Sequence, residues 1–178
     1  NAYFNKFNLQ GAVSEYNHSE RTGSGNNHNI NFFSDLYEIK TSLNHNSIIK
    51  GNSEGLIGFH FQNYDQGALG EEESHLVHTR TSSFALFALE SFNFDLFDLD
   101  VGGRLESVNL KNTSLERGFF PGAFSSTIKR EIFTNNTVFA GFDFTERAPN
   151  AVELFANGPH HALEQFEVGD SNMDVETS

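Results

Sequence analysis

Histidine and acidic residues are the chemically distinctive feature of this sequence, and many of them concentrate in two groups. The first group contains Glu71, Glu72, Glu73, His75 and His78. The second group contains Glu153, His160, His161 and Glu164. Neutral imidazole and carboxylate are ligands of divalent first-row metals, and Zn²⁺ takes such donors tetrahedrally. The groups therefore suggest a metal site, with a merely solvated acidic loop as the simpler alternative.

Other chemistry finds little support in the composition. The chain has no cysteine, which excludes a thiolate metal site and a cysteine nucleophile. It shows no phosphate-binding glycine loop, no Ser-His-Asp order and no nucleophile elbow, so we expect no enzyme activity. The formal charge is -13, with 11 basic against 24 acidic residues. This negative charge disfavours binding of nucleic acid and favours binding of cations.

The elements that must position these residues are predicted to be β-strands. No apolar run approaches the roughly 20 residues that a membrane-spanning helix needs. Gly and Asn recur throughout and only 37% of the residues are hydrophobic, which disfavours a helical bundle. Extended segments are predicted at roughly 3–16, 32–46, 54–66, 80–92, 95–109, 124–132 and 138–147. The segment 153–156 is predicted to form a single helical turn.

Long and short connections alternate between these segments. The long ones are predicted at 18–31, 67–79, 110–123 and after residue 147, and the short ones at 47–53, near 93 and at 135–136. An up-and-down antiparallel meander with its long loops at one end produces this alternation, as outer-membrane barrels do. Six of the eight histidines fall in the predicted long connections: His18, His28, His75, His78, His160 and His161.

Side-chain phase predicts two faces of different polarity. One face carries Phe97, Leu99, Val101 and Leu105, then Val138, Ala140, Phe142 and Phe144. The other carries Asp98, Asp100, Arg104 and Glu106, then Gly141, Asp143, Thr145 and Arg147. Successive side chains of a strand point to opposite faces. The alternation alone fits both a soluble sheet with a core and a barrel with lipid outside and a polar lumen.

The segment 145–178 resembles TonB-dependent outer-membrane receptors, which carry R-x-P-x-x-x-E-L-[YF] followed by G-[DN]-x-x-L-x-x-E-[TS]. The first motif is matched by Arg147, Pro149, Glu153, Leu154 and Phe155. The second is matched by Gly169, Asp170, Glu176 and Thr177. Met173 stands where the family usually has Leu, which is a departure from the pattern.

Three further stretches resemble the zinc-uptake branch of that family: G-P-H-H-A at 158–162, which begins with Gly158, together with A-L-G-E-E-E-S and T-R-T-S-S-F-A-L-F-A-L-E. The resemblance implies that His160 is a metal ligand. The additional His161 departs from the family spacing and leaves open which imidazole faces the metal. The candidate ligands are His160, His161, Glu71, Glu73, His75 and His78.

The resemblance implies an all-β, antiparallel, up-and-down transmembrane β-barrel, of which residues 1–178 would supply about seven or eight strands. We expect a fragment, because the sequence opens at Asn1 without a start methionine or signal peptide and stops in a strand approach. The implied receptor lies in the outer membrane of a Gram-negative bacterium, in contact with lipid. A plug domain absent from this sequence would couple it to the TonB complex. Zinc is the implied cargo, and no cofactor is expected.

Two alternatives remain at this point. Within the family, the cargo could be a ferric siderophore, haem or another organic chelate, which favours loops rich in aromatic residues and Arg. Outside it, the chain could be a secreted β-sandwich that binds glycans, although Trp, a usual sugar platform, is absent. A sandwich would fold in buffer, whereas barrel strands would require detergent. For a metal receptor, acidification from about pH 7.5 to about pH 5.5 should weaken capture, since protonated imidazole cannot ligate.

Overall fold

A computed structural model gives the fold of the chain and describes residues 3–22, 28–47, 52–70, 75–160 and 164–178. Within these ranges the protein is almost entirely β. The elements are β1 (Phe4–Thr22), β2 (His28–Asn46), β3 (Ser53–Gly70), β4 (Thr79–Asn93), β5 (Asp98–Lys111), β6 (Glu116–Phe119), β7 (Gly122–Phe133), β8 (Asn136–Arg147), α1 (Ala151–Phe155), β9 (Asn157–His160), β10 (Gln165–Val168) and β11 (Glu176–Thr177).

One large antiparallel sheet contains nine of the described strands. Its order is β1-β2-β3-β4-β5-β7-β8-β11, with β6 paired to β5. The seven long strands follow one another in chain order, which confirms the predicted all-β class and up-and-down meander. Among the described residues, β1 and β11 form the two edges of the sheet, and β9 pairs only with β10. These strands do not form the two facing sheets of a sandwich.

The strands are longer than the sequence predicted at one end of the meander. The predicted long connection at 18–31 is wrong in extent, because β1 continues to residue 22 and β2 begins at residue 28. His18 and His28 therefore lie in strands rather than in a loop. The continuous register from Ser19 with Asn31 to Thr22 with His28 explains this extension, since cross-strand pairing can order polar residues without an apolar alternation.

One face of the sheet is largely apolar. Directly paired residues point to the same side, so the register defines rows across the strands. One such row consists of Leu43, Ile57, Ala88, Gly103 and Phe124. Many apolar side chains of this face are open: Leu105 is 73% exposed and Phe142 is 63% exposed. The predicted phase of the strands is thereby confirmed.

The opposite face carries a network of charged side chains at mid-height. The Arg104 guanidinium lies 3.0 Å from Glu106 and donates to Nδ1 of His60 at 3.3 Å. Because Nδ1 accepts there, Nε2 of His60 must carry the hydrogen that it donates to Glu38 at 2.8 Å. The four side chains are half-buried and join β2, β3 and β5 on the polar face.

A small hydrophobic core lies at the long-connection end of the polar face. Helix α1 buries Ala151, Leu154 and Phe155 against Leu110 of β5 and Phe119 of β6. The helix confirms the predicted turn near residue 153, which begins two residues earlier than expected. Among the residues that the structure describes, no helix is long and apolar enough to cross a membrane. The core fixes α1, and through it the segment that follows, onto the sheet.

Candidate metal centre

The connection before β4 and the segment after β8 meet at one end of the meander. After α1, strands β9 and β10 pair antiparallel and form what we call the β9–β10 ribbon. His75 lies alongside it in the chain between β3 and β4. The His75 N–H donates to the Pro159 carbonyl at 3.2 Å, and the Asn157 N–H donates to the His75 carbonyl at 3.4 Å. Two connections that are remote in sequence are thus joined through their backbones.

His75, His160 and Glu167, here named the His75 cluster, are brought together by this contact. Each residue has a potential ligand atom within 4.8 Å of those of the other two. The rings of His75 and His160 stack with centroids 4.2 Å apart and planes 19° apart. Nδ1 of His75 is buried and has no hydrogen-bond partner among the residues that the structure describes. Buried polar atoms are normally partnered, so this nitrogen is a candidate ligand atom.

The carboxylate of Glu167 sets the tautomer of His160. Nδ1 of His160 lies 2.7 Å from Oε1 of Glu167, and an ionised carboxylate only accepts, so the imidazole donates from Nδ1. Nε2 of His160 then keeps its lone pair for a ligand. Carboxylates hold metal-binding histidines in this way and raise their basicity. The hydrogen bond from His160, with the nearby charge of His75, lowers the pKa of Glu167 below its ordinary value.

The donor set suits a borderline divalent ion such as Zn²⁺. Two imidazoles and one carboxylate are groups that zinc accepts as ligands. The lone pairs of an imidazole lie in the plane of its ring. Because the two rings are stacked, one of them has to rotate before both nitrogens can point at one ion. The cluster is therefore a candidate metal site in which one ring must rotate before both imidazoles can bind one ion.

Of the six predicted ligands, the structure brings two together. His75 and His160 meet in the His75 cluster. His78 is instead held by Asp65, with Nε2 2.7 Å from Oδ1. Glu71, Glu73 and His161 lie outside the described residues.

Glu167 is the ligand candidate that the sequence analysis missed. It pairs with Gly158, while His160 pairs with Gln165, so Glu167 and His160 are diagonal neighbours on one face of the ribbon. The alternation around Phe166 is the only sequence signal for it, and it is too short to identify the ribbon. Two carboxylates of the second predicted group lie elsewhere: Glu153 binds Arg147, and Glu164 is exposed.

The residues of the first family motif form a joint between β8, α1 and β11. Arg147 donates two hydrogen bonds to Glu153, at 2.9 and 3.0 Å, and two to one oxygen of Glu176, at 2.6 and 3.1 Å. Asn150 caps α1 by accepting from the N–H groups of Val152 and Glu153, and Glu153 accepts from the Asn150 N–H in return. This reciprocal pair is a capping box. The Glu153 carboxylate therefore accepts hydrogen bonds from Arg147 and from the backbone at the start of the helix.

The remaining motif residues serve packing. Leu154 and Phe155 are buried in the core, and Pro149 is buried directly before the helix. Gly158 is buried within β9. A Cβ atom added at Gly169 would lie 2.7 Å from the backbone of Leu154 and Phe155, so only glycine fits there. The motif therefore builds the support beneath the β9–β10 ribbon.

A groove of about 540 Å³ lies between the polar face of the sheet and the segment that contains α1. Its walls offer many oxygen donors from β3, β4 and β5: Gln62, Tyr64, Gln66, Thr81, Ser83 and Glu106. Arg147 and apolar side chains, including Val108, Leu110 and Val152, line the groove as well.

The chain matches no known protein-family model.

Proposed function

We propose that this chain is part of an outer-membrane, TonB-dependent receptor that captures a divalent metal ion, with zinc as the best-fitting cargo. The observation that carries the proposal is the His75 cluster, in which two imidazoles and a carboxylate from two separate connections converge at one end of a β-meander. The resemblance of segment 145–178 to these receptors supplies the transport context.

Membrane placement is supported by the two faces of the sheet. Soluble monomers rarely expose contiguous apolar patches above a few hundred Å². Here apolar residues of seven strands share one face, including Phe59, Leu86 and Leu105, each more than a third exposed. The other face carries the charged network of His60 and Arg104. We infer that lipid covers the apolar face and that the polar face lines the lumen of a closed barrel.

Capture would begin at the end of the meander where the long connections lie. A metal ion replaces the stacking between His75 and His160 by coordination to Nδ1 of His75 and Nε2 of His160. Glu167 keeps His160 in the required tautomer and supplies negative charge that offsets the charge of the ion. With the two imidazoles as protein ligands, the remaining coordination positions are open to water or a mobile ligand, so the ion is held reversibly, as a transported ion must be.

The captured ion would then move along the polar face of the sheet, away from the His75 cluster. The groove beside α1 presents amide, hydroxyl and carboxylate oxygens from Gln62, Tyr64, Ser83 and Glu106. The chain has 24 acidic and 11 basic residues, which gives a formal net charge of -13. This negative charge lowers the free energy of a cation near the protein. A plug domain outside these 178 residues would couple release of the ion to the TonB complex.

The proposal is tested by zinc titration calorimetry on the full-length protein refolded in detergent. Wild type should bind zinc, and His75→Ala and His160→Ala should each weaken binding by about tenfold or more, because each removes a ligand. His18→Ala is the matched control: its ring stacks on Phe32 of the neighbouring strand at 4.8 Å, away from the cluster. Failure of the wild type to bind zinc would remove the metal from the proposal.

An organic chelate is the second cargo class that the test addresses. If zinc does not bind but the protein takes up ferric siderophores or haem, the barrel and TonB assignments stand with another ligand. If the protein folds in buffer without detergent, the membrane assignment itself is wrong.

A further inference from the structure

Two backbone hydrogen bonds, which we call the latch, join the end of the β9–β10 ribbon at Gly169 and Asp170 to helix α1 and its C-cap. Gly169, the residue after β10, donates its N–H to the Ala156 carbonyl at 2.7 Å. The next N–H, that of Asp170, donates to the Glu153 carbonyl at 2.8 Å. Ala156 is also where α1 ends and where β9 begins one residue later. Both ends of the ribbon are therefore fixed to the same end of the helix.

The latch depends on the absence of a side chain at Gly169. A Cβ atom there would lie 2.7 Å from the Leu154 carbonyl carbon, 2.7 Å from the Phe155 nitrogen and 2.8 Å from the Ala156 nitrogen. All three are backbone atoms of the buried helix and its cap, which cannot move aside as a flexible side chain could. An alanine at Gly169 would displace β10 instead, since the helix is held by the core.

The helix is in turn tied to the sheet through Arg147. Its guanidinium grips both oxygens of Glu153 and one oxygen of Glu176, so it connects the end of β8 with α1 and β11. Leu154 and Phe155 add burial against β5 and β6. The sheet, helix α1 and the β9–β10 ribbon are thus connected in series.

We propose that Gly169 and Arg147 are positioning residues of the metal centre, which act on His160 and Glu167 through α1 and the base of the ribbon. This inference rests on the proposed metal-capture function. His160 lies on β9 and Glu167 on β10, and their 2.7 Å hydrogen bond spans the ribbon. A shift of β10 relative to β9 separates Glu167 from His160 and from His75, whose backbone is hydrogen-bonded to β9.

The experiment compares zinc affinity of the full-length, detergent-refolded protein with that of Gly169→Ala and Gly118→Ala. Gly118 is the matched control because a Cβ atom there has nothing within 4 Å. Gly169→Ala should weaken zinc binding by about tenfold to a hundredfold, as loss of an orienting contact does. Gly118→Ala should stay within about twofold of wild type. Far-UV circular dichroism checks that both variants keep their strands.

Two further measurements separate positioning from a general loss of structure. Cobalt(II), whose visible absorption distinguishes four-coordinate from six-coordinate ions, should show a changed spectrum in Gly169→Ala. Gly169→Ala added to His160→Ala should cost less affinity than it does in the wild type, because it acts largely through His160. Full additivity of the two losses would overturn the inference.

The outcomes separate this inference from the proposed function. If the wild type binds zinc and a folded Gly169→Ala binds it equally well, the inference is wrong and metal capture stands. If the wild type does not bind zinc, both are wrong. If Gly169→Ala does not fold, Arg147→Lys decides, since lysine keeps the charge but cannot make the two-pronged hydrogen bond to Glu153. A smaller loss of affinity in Arg147→Lys supports positioning, and unchanged affinity overturns it.

Discussion

Arg147 holds both carboxylate oxygens of Glu153 at 2.9 and 3.0 Å while the same carboxylate caps the backbone of helix α1. One side chain therefore serves an ion pair and a helix cap together. The arrangement makes the stability of this end of the sheet depend on the charge of Glu153, and it leads to the first prediction.

Replacement of Glu153 by glutamine should lower the thermal unfolding midpoint at neutral pH but not in acid. The hydrogen bonds from Arg147 and from the Asn150 N–H lower the pKa of Glu153 below its ordinary value of 4.5. A carboxyl with a lowered pKa stabilises the folded state above its unfolded-state pKa and loses that contribution as the pH falls through its folded-state pKa. The difference between wild type and Glu153→Gln should thus shrink below about pH 4.5. Melting curves across this range measure it; a constant difference would contradict the account.

Replacement of Gly58 by alanine should destabilise the sheet by about 1–3 kcal/mol, as overpacking does. A Cβ atom at Gly58 would collide with the Thr41 carbonyl oxygen and with the ring of Phe87. The same ring makes a cation–π contact with Lys40, whose Nζ lies 5.2 Å from the ring centroid. Denaturant titration in detergent measures the change. Gly103→Ala is the control, because a Cβ atom there has nothing within 4 Å, and it should change stability by less than about 0.5 kcal/mol.

Replacement of Leu105 by arginine distinguishes lipid from water as the neighbour of the apolar face. Leu105 is 73% exposed on that face. In a lipid-facing barrel strand near the bilayer midplane, arginine costs about 2–4 kcal/mol. At a water-exposed position the same change should stay within about 0.5 kcal/mol. Unfolding from lipid vesicles measures the difference, with Ser14→Arg on the polar face, where the opposite residue is Leu36, as the control. A neutral Leu105→Arg would argue against membrane placement.

Zinc affinity should fall as the pH is lowered from about 7.5 to about 5.5, because a metal ligand must be deprotonated. Calorimetry at several pH values measures the affinity. Equal affinity at both ends of the range would show that His75 and His160 do not bind the ion.

The sheet could be predicted from the sequence because strands with two differently solvated faces show a period of two. Segments such as 98–111 and 136–147 carry that alternation plainly. The extension of β1 and β2 beyond residues 16 and 32 could not be predicted in the same way, since polar residues there are ordered by pairing with the neighbouring strand.

The proposed metal centre was predictable only in part. His75 and His160 could be selected as ligand candidates from residue type and resemblance. Their contact depends on the packing of α1 against Leu110 and Phe119, which brings the β9–β10 ribbon to the chain before β4. Glu167 follows from the register of a four-residue strand, which carries too little pattern to be recognised in a sequence.

The outer edge of β1 has a practical consequence for handling this protein. Within the described residues β1 is 19 residues long and pairs on one side only, with β2. Its other side is a row of backbone donors and acceptors free to recruit a strand from another molecule. Preparations of these 178 residues alone should therefore self-associate edge to edge. Aggregation that increases with protein concentration would then be due to pairing through β1.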